Sequence, residues 1–500
     1  MKKSLLLLCL AVAAGSIQLR AQDAKASLEA VSAALGAANL RTIEFSGRGF
    51  DGIFGQPYDA NSPWPRFAVP ALTVTIDYAT PAMRDDRRRQ QWENPPLGGG
   101  FQPIAGEQRQ TWLLSGNFAW DMNGAAAAPA APERDYRSAV DGRLTQIWAT
   151  PQGFIKAAMA NNAVARTETI RGAKKTVITF TAPNKMKFEG IAGDQNLLER
   201  VETWYGSPVL GDTKFEAIFD DYKDFAGVKF PTHIVQRNGP YPILDLNVIE
   251  VKPNVAVSID VPANIRNAVA PAAATLQAEK ITDGLWMAQG AIKSVAIEMK
   301  DYLIVVEAPE TEARSVAVID ALKRAVPNKP IRYLINTHHH FDHSGGLRTY
   351  AAEGATILTH QNNVAFFENV WRNPRTIVPD RLARSGRTPV FEGITGTRLI
   401  SDGAREINIY HYPGNMHNPG MLMVHLPRER VLVEADSWSP PAVAGDYPGA
   451  IANLVHFYQA VQRLNLDVDQ VVPMHGRLTS FDEIRQAVET YGKTTQPWTN

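Results

Sequence analysis

Cysteine is all but missing from this chain: Cys9 is the only one in 500 residues. Beyond position 9 there is neither a disulfide framework nor a thiolate metal ligand. That composition suits an oxidising compartment as well as a reducing one. Any metal must therefore be held by histidine, aspartate and glutamate. Net charge is missing too, since Lys+Arg and Asp+Glu both number 51. No overall field draws the chain to nucleic acid or to an anionic membrane. Past the first residues no apolar run approaches the ~18 residues of a membrane-spanning helix. Histidine is scarce, at 11 residues, but unevenly spread: ten lie between 338 and 475, and "HHHFDH" puts four into six positions.

What is present begins with "MKKSLLLLCLAVAAGSIQLRAQ". Lys2 and Lys3 form a basic start, residues 4–14 an apolar run too short to span a bilayer, and Ala21 a small-residue cleavage position. This is the pattern of a secretory signal peptide over 1–21. It predicts a periplasmic or secreted protein with no transmembrane segment after cleavage. Hydrophobic residues make up 45% and charged residues 20%, a globular balance. The length suits more than one domain.

The expected domains are 22–270 and 280–490. In the first, residues 22–40 read as a short helical lead-in, with Leu28, Val31 and Leu35 near helical spacing. Strand signals follow. "ALTVTIDY" puts Leu72, Val74, Ile76 and Tyr78 on one face, and "KFEAIFDDY" and "ILDLNVIEV" alternate likewise, as antiparallel strands with one buried face do. "AAAAPAAPE" at 125–133 reads as a surface linker, and the charge run "RDDRRRQQ" as a solvated loop or edge strand. The low-complexity stretch "VAPAAATLQAEK", 269–280, marks the junction.

After 280 strands and helices mix, which predicts an α/β layer architecture. A helix is expected near 310–325, another over "QNNVAFFENVWR", a third near 450–465. A fourth starts at Ser480, which stands in capping-box spacing with Glu483.

His338 and His340 are two apart, so in extended chain they point the same way. Asp342 and His343 follow as the chain turns, and Gly345 and Gly346 permit a close backbone approach. Such a loop cannot complete two four-coordinate metal shells alone. Further donors stand at later strand ends: His417 in "YPGNMHNPG", Asp436 in "LVEADSW" and His475 in "VPMHG".

Over about 280–490 this pattern resembles the metallo-β-lactamase-fold hydrolases, marked by His-x-His-x-Asp-His and then a His, an Asp and a His. The resemblance implies an αββα sandwich with metals at one edge of its two sheets. It implies two zinc ions per chain, one on His338, His340 and His417, the other on Asp342, His343 and His475, with Asp436 bridging. Iron or manganese suits the same donors. Asp342 is the candidate catalytic residue, ligating and orienting a water ionised at neutral pH. "GNMHNPG" departs from the commoner Gly-His-Thr around the third histidine, which affects substrate contacts more than metal binding. Aspartate rather than cysteine at 436 looks more like the glyoxalase II, lactonase and phosphodiesterase branches.

The expected function is an exported di-zinc hydrolase acting on an ester, thioester, lactone, amide or phosphodiester-type bond of a small molecule. The rival is a periplasmic binder of apolar ligands that uses the metal fold as scaffold or sensor. Sequence leaves the substrate and oligomeric state open. His339, between two ligands, is expected to be structural or supportive. His360, His411, His425 and His456 are expected to pack or face solvent. Glu307 is expected to be an ordinary strand-end carboxylate, and Phe366, Phe367 and Trp371 to be core. For the β-rich half, a substrate-selecting lid, a lipid-like binder and a dimerisation surface all remain open. Its Trp64, Trp112, Trp120, Trp148 and Trp204 are read as core rather than groove.

Overall fold

The structure, a computed structural model, describes residues 24–100, 102–104, 106–268, 275–443, 445 and 451–492. The expected signal peptide and the start of the junction, 269–274, lie outside the described residues. No helix among the described residues is long and apolar enough to cross a membrane.

The N-terminal half is one antiparallel sheet of 13 strands. Its first strand, Thr42–Gly52, lies between Arg66–Asp77 and the last strand, Tyr241–Pro253. This pairing ties the two ends of the domain together, with Phe45 opposite both Val74 and Val251. The alternation along Arg66–Asp77 changes phase once: Phe67 and Val69 are buried, then Leu72, Val74 and Ile76. A register shift at 68–71 absorbs the extra residue, and Pro70, which has no N–H to donate, sits inside it. The helix at 24–34, with Ala139–Trp148 and Pro151–Ala160, covers one face of the sheet. Leu28, Val31, Leu35, Ile147 and Phe154 join Phe45, Val74 and Phe215 in one core.

Two expectations fail here. "RDDRRRQQ" is no solvated loop or edge: it belongs to Ala82–Gln91, an interior strand paired on both sides. Its inward charges are buried as ion pairs. Arg87 meets Asp85 at 2.6 Å and Asp51 at 3.3 Å, and Arg89 meets Asp51 at 3.0 Å. Paired charges can be buried where lone ones cannot. The stretch at 125–133 is no plain linker either, since Ala126–Pro129 forms the edge strand of the sheet. Trp64, Trp120 and Trp148 are buried as expected, while Trp112 lies under the Arg87 guanidinium.

The C-terminal half is an αββα sandwich. A seven-stranded sheet runs from Ala278–Thr282 to Phe391–Ile394, and a six-stranded sheet from Thr397–Ser401 to Thr479–Ser480. Ile297, Val306 and Leu358 pack between the sheets against Ile407, Val424 and Val433. The helices Glu312–Ala325 and Leu347–Glu353 cover one outer face. Ile451–Arg463 and Phe481–Tyr491 cover the other. All four expected helices form, and Ser480 caps the last by accepting the Glu483 N–H at 3.2 Å.

The two halves meet around Phe341. Its ring stands edge-on to Phe54 and Trp64, with centroids 5.3 and 5.6 Å away. Gly55, at φ +77°, is wedged against it: a Cβ there would lie 2.7 Å from the ring. The Phe341 N–H donates to the Gly55 carbonyl at 3.0 Å. This contact brings the N-terminal half to the histidine loop.

Candidate metal centre

In an open α/β sheet the crevice beyond the carboxyl ends of parallel strands is where functional residues collect. Leu303–Val306 leads into Glu307, Ile331–Ile335 into the histidine loop, Val431–Glu434 into Asp436, and Gln470–Pro473 into His475. Neighbours in each sheet run parallel, so these ends emerge on one side. Gly345 lets the loop turn tightly, since a Cβ there would sit 1.9 Å from the Glu310 carbonyl oxygen.

All seven candidate ligands converge. Donor atoms of His338, His340 and His417 lie within 4.8 Å of one another, as do those of Asp342, His343 and His475. Asp436 stands between the trios. Its Oδ2 is 3.2 Å from His338 Nε2, 2.7 Å from His343 Nε2 and 3.4 Å from His417 Nε2, and its Oδ1 is 3.1 Å from His475 Nε2. The second trio is the open side: the Asp342 and His475 side chains are 30% and 22% exposed, against 0% for His338 and 11% for His417 in the first.

The electrostatics suit cations. Burial, and then the His343 charge, hold His338 well below the usual imidazole range. Burial, then His417 and His338, do the same to His340. Both therefore favour the neutral imidazole that a metal needs. Burial also opposes charge on His343, but Asp436 and Asp342 outweigh it and raise its pKa. Asp436 is itself opposed by burial, yet His343, His475 and His417 hold it well below the carboxylate range.

The donors fit divalent metal. Imidazole nitrogens face each other at 3.3 Å (His417 to His338) and 3.2 Å (His343 to His475), so a proton or cation must lie between them. His340 Nδ1 is buried with no hydrogen-bond partner. Its Nε2, 2.8 Å from the Pro57 carbonyl, donates to it and leaves Nδ1 as the free lone pair.

The supports around the ligands were less legible. Glu307 corrects the expectation of an ordinary strand-end carboxylate. It is fully buried at φ +70°, accepts the Thr337 N–H at 2.7 Å through Oε1, and holds Oε2 3.3 Å from His343 Nδ1. An acid closing the apolar run "LIVV" was its only signal. Gln56, whose Nε2 donates to Asp342 Oδ1 at 2.7 Å, and Pro57 gave no signal at all. His339 is buried and meets Asn418 at 2.9 Å, a supporting place as expected. His411, His425 and His456 face backbone carbonyls, and His360 lies against the His411 ring. Phe367 is core, with Phe366 and Trp371 packed beside it.

A cavity of about 620 Å³ opens over Asp342 and His475. Phe54, Gln56, Pro132 and Tyr136 wall it from the N-terminal half, and Ile292 and Phe341 from the other.

A histidine–aspartate cluster at the rim of an αββα sandwich defines a class, and residues 290–475 match the family model described as the metallo-beta-lactamase superfamily. The C-terminal region thus has the fold of that superfamily of metal-dependent hydrolases. Among particular proteins, it is similar to the 2,4-dinitroanisole O-demethylase subunit alpha of Nocardioides sp. (strain JS1661). The two are 27% identical over 229 residues, 44% of this chain and 63% of the relative. The acyl-coenzyme A thioesterase MBLAC2 of Gallus gallus is 25% identical over 178 residues, 31% of this chain and 61% of the relative. The chain thus spans about six tenths of the length of these curated relatives. A solved metallo-beta-lactamase from Pontibacter korlensis superposes with a TM-score of 0.35 at 15% identity, covering 43% of this chain and 97% of its own.

Proposed function

We propose that this chain is an exported di-zinc hydrolase that cleaves an ester or thioester bond of a small molecule. The observation that carries the reading is the meeting of seven N and O donors, from four separate stretches of chain, around Asp436. His338, His340 and His417 would hold one ion, Asp342, His343 and His475 the other, and Asp436 both. Bound there, such ions polarise a carbonyl and bring the pKa of a water from 15.7 toward ~7. Gln56 donates to Asp342 Oδ1 and so holds in place the carboxylate that would ligate the second ion and orient the attacking water. Pro57 and Glu307 hold the His340 and His343 rings in their donor orientations. Phe54, Phe341 and Ile292 give the cavity an apolar wall beside the ionisable Glu133, Arg134 and Glu310. The thioester choice draws support from the activity named for the MBLAC2 relative, and the wall makes substrate selection the role of the N-terminal half.

Purified protein should carry close to two zinc ions per chain and turn over an acyl thioester or aryl ester. Chelation should abolish turnover and zinc should restore it. Two zinc ions with no turnover of thioester, ester, lactone, phosphodiester or β-lactam would leave the ligand-binding reading instead. Export rests on the basic and then apolar leader. In its native host the mature protein should leave the cytoplasm and begin at Gln22; a cytoplasmic chain that retains Lys2 and Lys3 would end that part of the proposal.

A further inference from the structure

Beside the metal-facing cavity lies a second one of about 710 Å³, and Tyr136 and Thr311 line both. It sits on the seam between the halves, walled by residues 206–208 on one side and by the start of helix Glu312–Ala325 and residues 375–384 on the other. Its lining carries four arginines, Arg348, Arg375, Arg381 and Arg384, against two carboxylates, Glu312 and Asp380.

The inner pair is out of balance. Arg348 grips Asp380 with two nitrogens, Nη2 at 3.0 Å, while Arg375 Nε is 3.4 Å from the same carboxylate. The two arginine side chains are only 8% and 5% exposed. Arg375 is held by the Ser207, Pro208 and Val209 carbonyls at 2.9–3.1 Å, and its Nε has no hydrogen-bond partner. Two buried guanidiniums thus share one negative charge. Burial, with Arg348 beside it, lowers Arg375 to about 10, which still leaves it charged at neutral pH. Asp212, the next acid, is committed to the Thr376 and Ile377 N–H groups at 2.9 and 3.1 Å. At the rim, Arg384 meets Glu312 at 3.0 Å and Arg381 reaches Glu353 at 3.4 Å, both from half-exposed positions. The amino end of the 14-residue helix adds its own partial positive charge to the same space. Guanidinium forks match phosphate oxygens, and two of these share a single buried carboxylate.

We propose that this seam cavity binds a phosphate-type dianion, either free inorganic phosphate or the phosphorylated end of the substrate that reacts at the adjoining metal centre. The substrate half of the proposal rests on the hydrolase reading; the anion site itself does not. The four guanidiniums face three carboxylates, Glu312, Asp380 and Glu353, and Arg348 and Arg375 share Asp380, which suits an anion better than a neutral ligand.

The test compares zinc-loaded wild type with R381E/R384E, whose changes lie at the rim and leave the metal ligands alone. Arg375→Lys probes the inner pair separately. In equilibrium binding, wild type should take up one more inorganic phosphate per chain than the double variant, or bind it on the order of tenfold or more tightly. Equal stoichiometry and affinity in wild type and both variants overturn the site, whether or not any substrate is hydrolysed. The second arm compares KM for a phosphate-bearing acyl thioester with that for a neutral one. A KM ratio that rises tenfold in the double variant assigns the site to the substrate. A lost phosphate with an unchanged ratio supports the site with free phosphate as its ligand.

Discussion

Asp436→Ala should cost this protein at least about two powers of ten in kcat/KM. Losing a group that only orients a metal ligand costs ~10–100-fold in metal affinity or activity, and a carboxylate that would itself hold both ions is worth no less. Among the described residues Asp436 is the one carboxylate within 3.4 Å of imidazoles from both trios, so its loss would strand both proposed cation sites at once. The zinc content should fall from two per chain to one or less. Asp436→Asn, of the same shape, removes the charge while keeping the packing, and it should lose nearly as much activity. An alanine variant that keeps two zinc ions and more than a tenth of wild-type kcat/KM would remove the bridging role.

Gln56→Ala should weaken zinc at the open site ~10–100-fold, the usual cost of losing a group that orients a ligand. Its amide donates to Asp342 Oδ1 from 286 residues away, out of the loop between the first two strands of the N-terminal sheet. Without it the carboxylate is free to rotate, and the water it positions loses its place. Competition with a zinc chelator reads this directly, apart from turnover. Gln56→Glu should do worse, because it places a second carboxylate where the amide donated 2.7 Å from the first. If the alanine variant binds its weaker zinc within threefold of wild type, Gln56 is packing and no more. The same loop supplies the Pro57 carbonyl that fixes His340. The N-terminal half therefore belongs to the metal centre and is more than a wall around it.

The candidate ligands stood out in the sequence because each lies in a loop after a strand and because histidine is rare elsewhere in the chain. Local spacing also placed the four helices, since a cap such as Ser480 acts over three residues. The charged strand at 82–91 was misread for the opposite reason. A charge run is normally solvated, and only Asp51, on another strand, together with Asp85 makes burial of Arg87 and Arg89 affordable. Glu307 was undervalued likewise: its backbone at φ +70° and its hold on Thr337 and His343 arise only once two strands lie side by side.

The sequence by itself determined the chemistry on offer: nitrogen and oxygen donors without thiolates, in an α/β region behind a β-rich one. The tertiary structure alone decided which atoms of those donors are free, which way the rings and carboxylates face, and what walls the substrate meets. Those properties depend on contacts such as Gln56 to Asp342 and Pro57 to His340, made between residues far apart in the chain. Spacing within a segment carries no information about partners that only folding brings within 3 Å.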